Sequence, residues 1–137
     1  MFGALEKSLS YALRILVVDD EPGVQPFFEQ ILSSVGYDVT LVRTSRQALA
    51  QVRSREFDVA VVDLSLPDED GFDVIRQMRS ASRELKILAI SGFMVGEVPR
   101  QALAVGATDT LLKPTLPETL LQAVYQLIER RGGWAGR

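Results

Sequence analysis

Short apolar runs recur along the chain at wide spacing, and an amphipathic stretch separates each run from the next. Four of the runs are mostly apolar and of strand length, and a fifth carries one polar residue in a run of four. The runs are Ile15–Val18, Val59–Val62, Ile87–Ile90, Thr110–Leu112 and the more polar Val39–Val42. Nearly continuous apolar character is typical of parallel strands that are buried on both faces. We therefore expect five parallel strands, with Val39–Val42 at an edge of the sheet.

The stretches between the runs show the periodicity and the end signals of helices. The first helix should begin near Gln25 and end at Gly36. Thr44 or Ser45 can cap the second helix, and the third should follow Gly71. The apolar face of the first helix should consist of Phe27, Phe28, Ile31, Leu32 and Val35.

The last two helices have their own start signals. The fourth is short, with Pro99 in its first turn and Gly106 after its end. Thr115–Glu118 has the pattern of a capping box, which predicts the start of the fifth helix. Strand and helix thus alternate five times. This alternation predicts an α/β fold, a doubly wound (βα)5 structure in which helices cover both faces of a five-stranded parallel sheet.

Length and composition limit the remaining possibilities. The 137 residues suffice for one domain, which we expect over 13–131, with a leader at 1–12 and a tail at 132–137 that contains Trp134. The chain has no cysteine and no histidine, which excludes thiol chemistry, Ser-His-Asp triads and metal sites built on those ligands. A net charge of −3 gives no general reason to bind nucleic acid. We see no transmembrane segment or secretory signal and expect a cytoplasmic protein.

Polar and charged residues follow four of the five predicted strands. Asp19, Asp20 and Glu21 follow the first, and Asp63 follows the third. Ser91-Gly92 follows the fourth and Lys113-Pro114 the fifth. In an open parallel sheet, ligands bind beyond the carboxyl ends of the strands. These side chains should therefore meet at one edge of the sheet.

Clustered carboxylates need opposite charge. Two of them about 4 Å apart repel by about 4 kcal/mol in surroundings with the effective dielectric of a protein surface. Lys113 supplies one positive charge, and an all-oxygen site without His or Cys suits Mg²⁺, Mn²⁺ or Ca²⁺. An aspartate beside such a cation and a lysine can act as a nucleophile toward a phosphoryl group.

Five segments in this order resemble the receiver domain of two-component response regulators. They are spread over about residues 14–130, nearly the whole length of the chain: Ile15–Pro22, Asp63–Gly71, Ser91-Gly92, Gly106-Ala107 and Lys113-Pro114. The resemblance implies that Asp63 accepts a phosphoryl group from the phosphohistidine of a sensor histidine kinase or a phosphotransfer protein. It also implies the flavodoxin-like strand order 2-1-3-4-5 and a signalling module that catalyses only its own phosphorylation and slow dephosphorylation.

The resemblance also assigns the supporting residues. Asp20 would bind Mg²⁺ (or Mn²⁺) directly, and Asp19 would support the cation directly or through water. Asp63 and the backbone carbonyl of Ser65 would also be ligands. Ser91 would hydrogen-bond the phosphoryl group, and Lys113 would pair with it. The Lys113-Pro114 peptide is commonly cis in this family. Gly71 would permit the turn before the third helix.

Two positions depart from the family pattern. The family usually has an aromatic residue three positions before the lysine, where this chain has Thr110, and phenylalanine after Lys-Pro, where it has Thr115. The usual aromatic switch is therefore absent or replaced, and Phe93 is a candidate substitute.

The resemblance places the output partner on the face formed by the fourth helix, the fifth strand and the fifth helix. We expect Arg100, Gln101, Thr110, Gln122 and Gln126 to be exposed there. A dimer that forms on phosphorylation is a further possible assembly. A receiver-like interaction module that works without phosphorylation remains the alternative. The chain could be a single-domain regulator or part of a larger regulator or hybrid kinase.

Overall fold

The computed structural model describes residues 12–130, and the predicted leader and the tail with Trp134 lie almost wholly outside that range. Five parallel strands form one sheet of order β2-β1-β3-β4-β5. Their bounds are β1 Arg14–Val18, β2 Asp38–Val42, β3 Val59–Asp63, β4 Lys86–Ser91 and β5 Asp109–Leu112. The predicted doubly wound α/β fold and its strand order are confirmed, and β2 is an edge strand as expected.

Five helices alternate with the strands in the described part of the chain, each following one strand. They are α1 Val24–Ser34, α2 Ser45–Ser54, α3 Gly71–Ala81, α4 Val98–Ala104 and α5 Pro117–Glu129. Thr44 caps α2 in a full capping box with Gln47, and Asp70 caps α3 by accepting a hydrogen bond from the Phe72 N–H. Each side chain fills a hydrogen-bonding position that a helix N-terminus leaves open.

The sheet separates two apolar layers. Helices α1 and α5 cover one face, where Phe28, Leu32 and Leu120 pack against Ile15 and Val61. Helices α2, α3 and α4 cover the other face and pack against alternate residues of the same strands. Because β1 and β3 lie inside the sheet, most of their side chains are fully buried on one face or the other.

Three local predictions from the sequence were wrong. The Thr115 side chain does not cap α5, whose N-cap residue is Leu116, and the Thr115 hydroxyl oxygen is buried without a hydrogen-bond partner. Pro117 occupies the first turn of α5, where its fixed φ suits the helix start and its missing N–H leaves one unpaired donor fewer. Val35 follows the end of α1 and is 52% exposed. Thr110, expected to be exposed, is half-buried because β5 pairs with β4 along one side.

A buried arginine joins α3 to the turn before β5. The Arg79 guanidinium donates to the carbonyls of Gly106, Ser82 and Arg83. Burial lowers the pKa of Arg79 to about 10, so it stays charged at neutral pH. Gly106 has φ +125°, and a Cβ there would lie 2.9 Å from the Arg79 Cβ. The glycine is therefore required both by its backbone conformation and by the arginine beside it.

The loop between β3 and α3 is tied to the start of α2. The Asp68 carboxylate accepts hydrogen bonds from the Ser45 N–H at 2.9 Å, the Ser45 hydroxyl at 2.7 Å and the Arg46 N–H at 3.2 Å. These bonds hold the pKa of Asp68 below its usual value. A loop side chain more than twenty residues away thus supplies a second cap to α2.

Gly71 is required by close packing. A Cβ on Gly71 would lie 2.4 Å from the Leu64 Cα and 2.5 Å from the Leu64 carbonyl oxygen, so any larger residue must displace backbone. We predict that Gly71→Ala lowers the free energy of unfolding by about 1–3 kcal/mol, the usual range for overpacking. Urea unfolding followed by circular dichroism measures the change.

Gly23→Ala is the matched control. Gly23 has helical backbone angles, and its added Cβ would meet no atom within 4 Å. This substitution should leave stability unchanged or raise it by a few tenths of a kcal/mol. Equal losses in the two variants would contradict the packing explanation.

Candidate functional site

Three carboxylates meet at the carboxyl end of the sheet. Asp63 is the last residue of β3, and Asp19 and Asp20 follow β1, the neighbouring strand. One oxygen from each of the three lies within 4.8 Å of the others. Asp19 and Asp63 are 1% and 3% exposed, whereas Asp20 is half-buried. The side chains are close because parallel strands end at the same edge.

Lys113 brings positive charge to this cluster from the loop after β5. Its ammonium donates to Asp19 Oδ2 at 3.1 Å, Asp63 Oδ2 at 3.1 Å and Glu21 Oε1 at 2.8 Å. The Lys113-Pro114 peptide is cis, and the Lys113 N–H donates to the Ser91 carbonyl at 3.0 Å. The lysine is therefore fixed both at its backbone and at its charged end.

The pKa values reflect the crowding of charge. Burial raises the pKa of the Asp19 carboxyl and the nearby Asp63 adds to this, while the Glu21 N–H and Lys113 oppose it. For Lys113, burial alone would lower the pKa, but the hydrogen bonds to Glu21 and Asp63 and the charges of Asp63 and Asp19 raise it above its usual value. Lysine is thus held charged, while the ionised form of Asp19 is disfavoured.

Backbone and hydroxyl groups complete the immediate surroundings. The Ser65 N–H donates to Asp63 Oδ1 at 3.0 Å, which orients the carboxylate from the side opposite to its lysine-bound oxygen. Ser91 is buried at the end of β4, and its hydroxyl accepts a hydrogen bond from the Phe93 N–H at 2.9 Å. The Phe93 ring is 72% exposed.

A cleft of about 430 Å³ opens beside Lys113. Its walls are mainly apolar and come from α1 and from the loop that contains Pro114 and Thr115. Thr115, whose hydroxyl oxygen is buried, is one of the residues that line this cleft. Thr110 lies on β5, paired in register with Ala89 of β4.

The sequence placed Glu21 at this edge but gave it no role. In the structure it makes the shortest of the three Lys113 contacts, and its N–H donates to Asp19 Oδ1 at 2.9 Å. The only feature of the sequence that points to a role for Glu21 in the site is its position directly after the two aspartates. Recognising the contact required the position of Lys113, which is 92 residues away.

Among the described residues, no helix is both long enough and apolar enough to cross a membrane.

Known proteins match both the sequence and the fold. The family model described as "Response regulator receiver domain" matches residues 15–125. The alginate biosynthesis transcriptional regulatory protein AlgB of Pseudomonas aeruginosa is 32% identical over 118 residues, which is 86% of this chain. The chain spans only 26% of the length of that curated relative.

Two solved structures show the same fold. A CheY-like response regulator receiver domain protein from Methanospirillum hungatei has a TM-score of 0.83 at 28% identity, covering 86% of this chain and 94% of its own. The receiver domain of sensor histidine kinase PA1611 from Pseudomonas aeruginosa, with a magnesium ion coordinated in its active site cleft, has a TM-score of 0.80 at 30% identity. The likeness covers 87% of this chain and 99% of that domain.

The charge crowding predicts an unusual pH dependence of stability. Because folding raises the pKa of Asp19, the folded state holds this proton more tightly, and the contribution of Asp19 to stability increases as pH falls through its raised pKa. In metal-free buffer at pH 7, Asp19→Asn should therefore have a higher Tm than the parent. The difference should shrink as pH is lowered toward 4.

Thermal unfolding in the presence of EDTA tests this expectation. Asp38→Asn, an exposed site on β2, removes the same charge away from the cluster and is the control. A lower Tm for Asp19→Asn at pH 7 would show that the contact of Asp19 with Lys113 outweighs its burial.

Proposed function

The chain belongs to the response regulator receiver domain family, and from that premise we propose that Asp63 is its phosphoacceptor residue. Receiver domains of two-component response regulators are signalling modules, and this chain is one of them. The observation that supports Asp63 is its place at the centre of the site. It is buried among two other aspartates, with an ammonium 3.1 Å from one oxygen and a backbone N–H 3.0 Å from the other.

The proposed reaction is transfer of a phosphoryl group from a phosphohistidine to the Asp63 carboxylate. An oxygen of Asp63 forms a bond to phosphorus as the bond from phosphorus to the imidazole nitrogen breaks, and the imidazole keeps the electron pair. Charge develops on the phosphoryl oxygens during transfer. The Lys113 ammonium lies 3.1 Å from Asp63 Oδ2, close enough to reach one of those oxygens, and Ser91 supplies a hydroxyl at the neighbouring strand end.

A divalent cation fits the donor set. The three carboxylates offer hard oxygen ligands from one small region, and such ligands favour Mg²⁺ or Mn²⁺. Asp20 is the most accessible of the three, which suits a direct ligand, with Asp19, Asp63 and the Ser65 carbonyl as the others. When bound, the cation would neutralise phosphoryl oxygens. The magnesium ion in the PA1611 receiver domain supports this choice.

Ser91 and Phe93 are the proposed switch region. The Phe93 N–H donates a hydrogen bond to the Ser91 hydroxyl. A displacement of that hydroxyl would therefore break this bond or move the loop that carries the exposed aromatic ring. Thr110 occupies a half-buried position on β5 without an aromatic side chain. The Ser91–Phe93 contact is therefore our candidate for the link between the acceptor and the surface.

The proposed partners follow from family membership. A sensor histidine kinase or a phosphotransfer protein would donate the phosphoryl group, and an output protein would bind the face of α4, β5 and α5. Arg100, Gln101, Gln122 and Gln126 are exposed on the two helices of that face. No contact among the described residues favours a module that works without phosphorylation.

Magnesium should stabilise the folded protein. Binding at ten times the Kd stabilises by about 1.4 kcal/mol, so millimolar Mg²⁺ should raise the Tm by a few degrees. Asp20→Asn should abolish most of this rise, whereas Asp38→Asn should keep it. Differential scanning fluorimetry measures both, and a full Mg²⁺ response in Asp20→Asn would contradict the ligand assignment.

Asp63 should be the residue that gains the phosphoryl group. After incubation with Mg²⁺ and acetyl phosphate, intact mass spectrometry should show one added phosphoryl group on the parent protein and none on Asp63→Asn. Asp38→Asn should behave as the parent does. Phosphorylation of Asp63→Asn at the parent's extent would overturn the assignment, and peptide mapping would then locate the modified residue.

A further inference from the structure

Glu21 makes a contact that the proposed transfer reaction does not use. Its carboxylate lies 2.8 Å from the Lys113 ammonium, and its side chain is 57% exposed. The other two carboxylates bound to that ammonium belong to the buried cluster, and their side chains are 2% and 3% exposed. The lysine therefore joins the interior of the site to one residue at its outer border.

The backbone of Glu21 is well fixed. Its N–H donates to Asp19 Oδ1, and its carbonyl accepts hydrogen bonds from the N–H groups of Val24 and Gln25 at the start of α1. Glu21 is thus the last residue before the turn into α1, and its position depends on both the cluster and the helix. Its contact with Lys113 comes from a fixed backbone, which distinguishes it from a freely mobile surface ion pair.

The ammonium group has no hydrogen left for a new ligand. A lysine ammonium has three N–H donors, and those of Lys113 are directed to Glu21, Asp19 and Asp63. A hydrogen bond from Lys113 to a phosphoryl oxygen therefore requires that one existing bond be released. Release of Glu21 is the least unfavourable choice, because its exposed carboxylate regains water, whereas the two aspartates are buried.

We propose that Glu21 is a positioning residue that holds Lys113 before phosphorylation and competes with the phosphoryl group for its ammonium. The inference rests on the proposed role of the Asp63 site and adds a regulator to it. The carboxylate of Glu21 both occupies one N–H of the lysine and places a negative charge beside the incoming oxyanion. It therefore lowers the affinity of the site for a phosphoryl group.

Beryllofluoride, a stable mimic of the phosphoryl group on aspartate, provides the test. At saturating Mg²⁺, Glu21→Gln should bind it about two- to fivefold more tightly than the parent does, the range expected for one partly exposed ion pair. Isothermal titration calorimetry measures the affinity. A purely structural role for Glu21 would have the opposite sign, because loss of the contact would loosen Lys113 and weaken binding.

Three further variants show whether the effect passes through Lys113. Glu21→Asp keeps the negative charge but is one methylene shorter and loses the Lys113 contact, so its affinity should lie between those of the parent and Glu21→Gln. Glu29→Gln removes a charge from an exposed position on α1 and should bind as the parent does. In a Lys113→Ala background, Glu21→Gln should no longer increase affinity. A gain that persists without Lys113, or a parent-like Glu21→Asp, would overturn the proposed competition.

The same experiment separates this inference from the proposed function. If the parent protein binds no beryllofluoride in Mg²⁺, the phosphoacceptor proposal itself fails. If the parent binds and Glu21→Gln binds equally or more weakly, the acceptor site stands and the role of Glu21 is refuted.

Discussion

The repulsion among carboxylates at one end of the sheet is the interaction that organises this molecule. At about 5 Å, two like charges repel by about 3 kcal/mol at an effective dielectric of 20. Asp19 and Asp63 experience this while almost fully buried. Lys113 reaches both, and burial together with Asp63 still raises the pKa of Asp19. The carboxylates of the site are thus held close together against their mutual repulsion.

Such a site requires a stiff frame. The strands that carry Asp19 and Asp63 lie inside the sheet and are covered by helices on both faces, so neither aspartate can turn away to water without disrupting the core. The loops are fixed in the same way. Asp68 binds the start of α2, and Arg79 binds the turn before β5. These contacts hold the elements from which the site projects.

The sequence was sufficient for the fold because strand length, apolar runs and helix periodicity are local properties. The meeting of the aspartates and Lys113 could also be predicted from the sequence, because parallel strands all end at the same edge of the sheet. The sequence could not reveal the partners of Asp68 or Arg79, which depend on residues brought together only by folding. Thr115 was misassigned for the same reason, because a capping pattern does not reveal where its hydroxyl points.

The three hydrogens of the Lys113 ammonium connect stability with signalling. In the described structure each is matched to a carboxylate, so a phosphoryl group on Asp63 cannot be added to this arrangement without rearranging it. Glu21 belongs to the turn that begins α1, and Ser91 is bonded to the backbone of Phe93. Under the proposed roles, a change in the partners of Lys113 or of the Ser91 hydroxyl would reach two different surfaces. The proposed switch would then need no large movement of the sheet, because the charged groups of the site already lie in contact with the loops that carry Glu21 and Phe93.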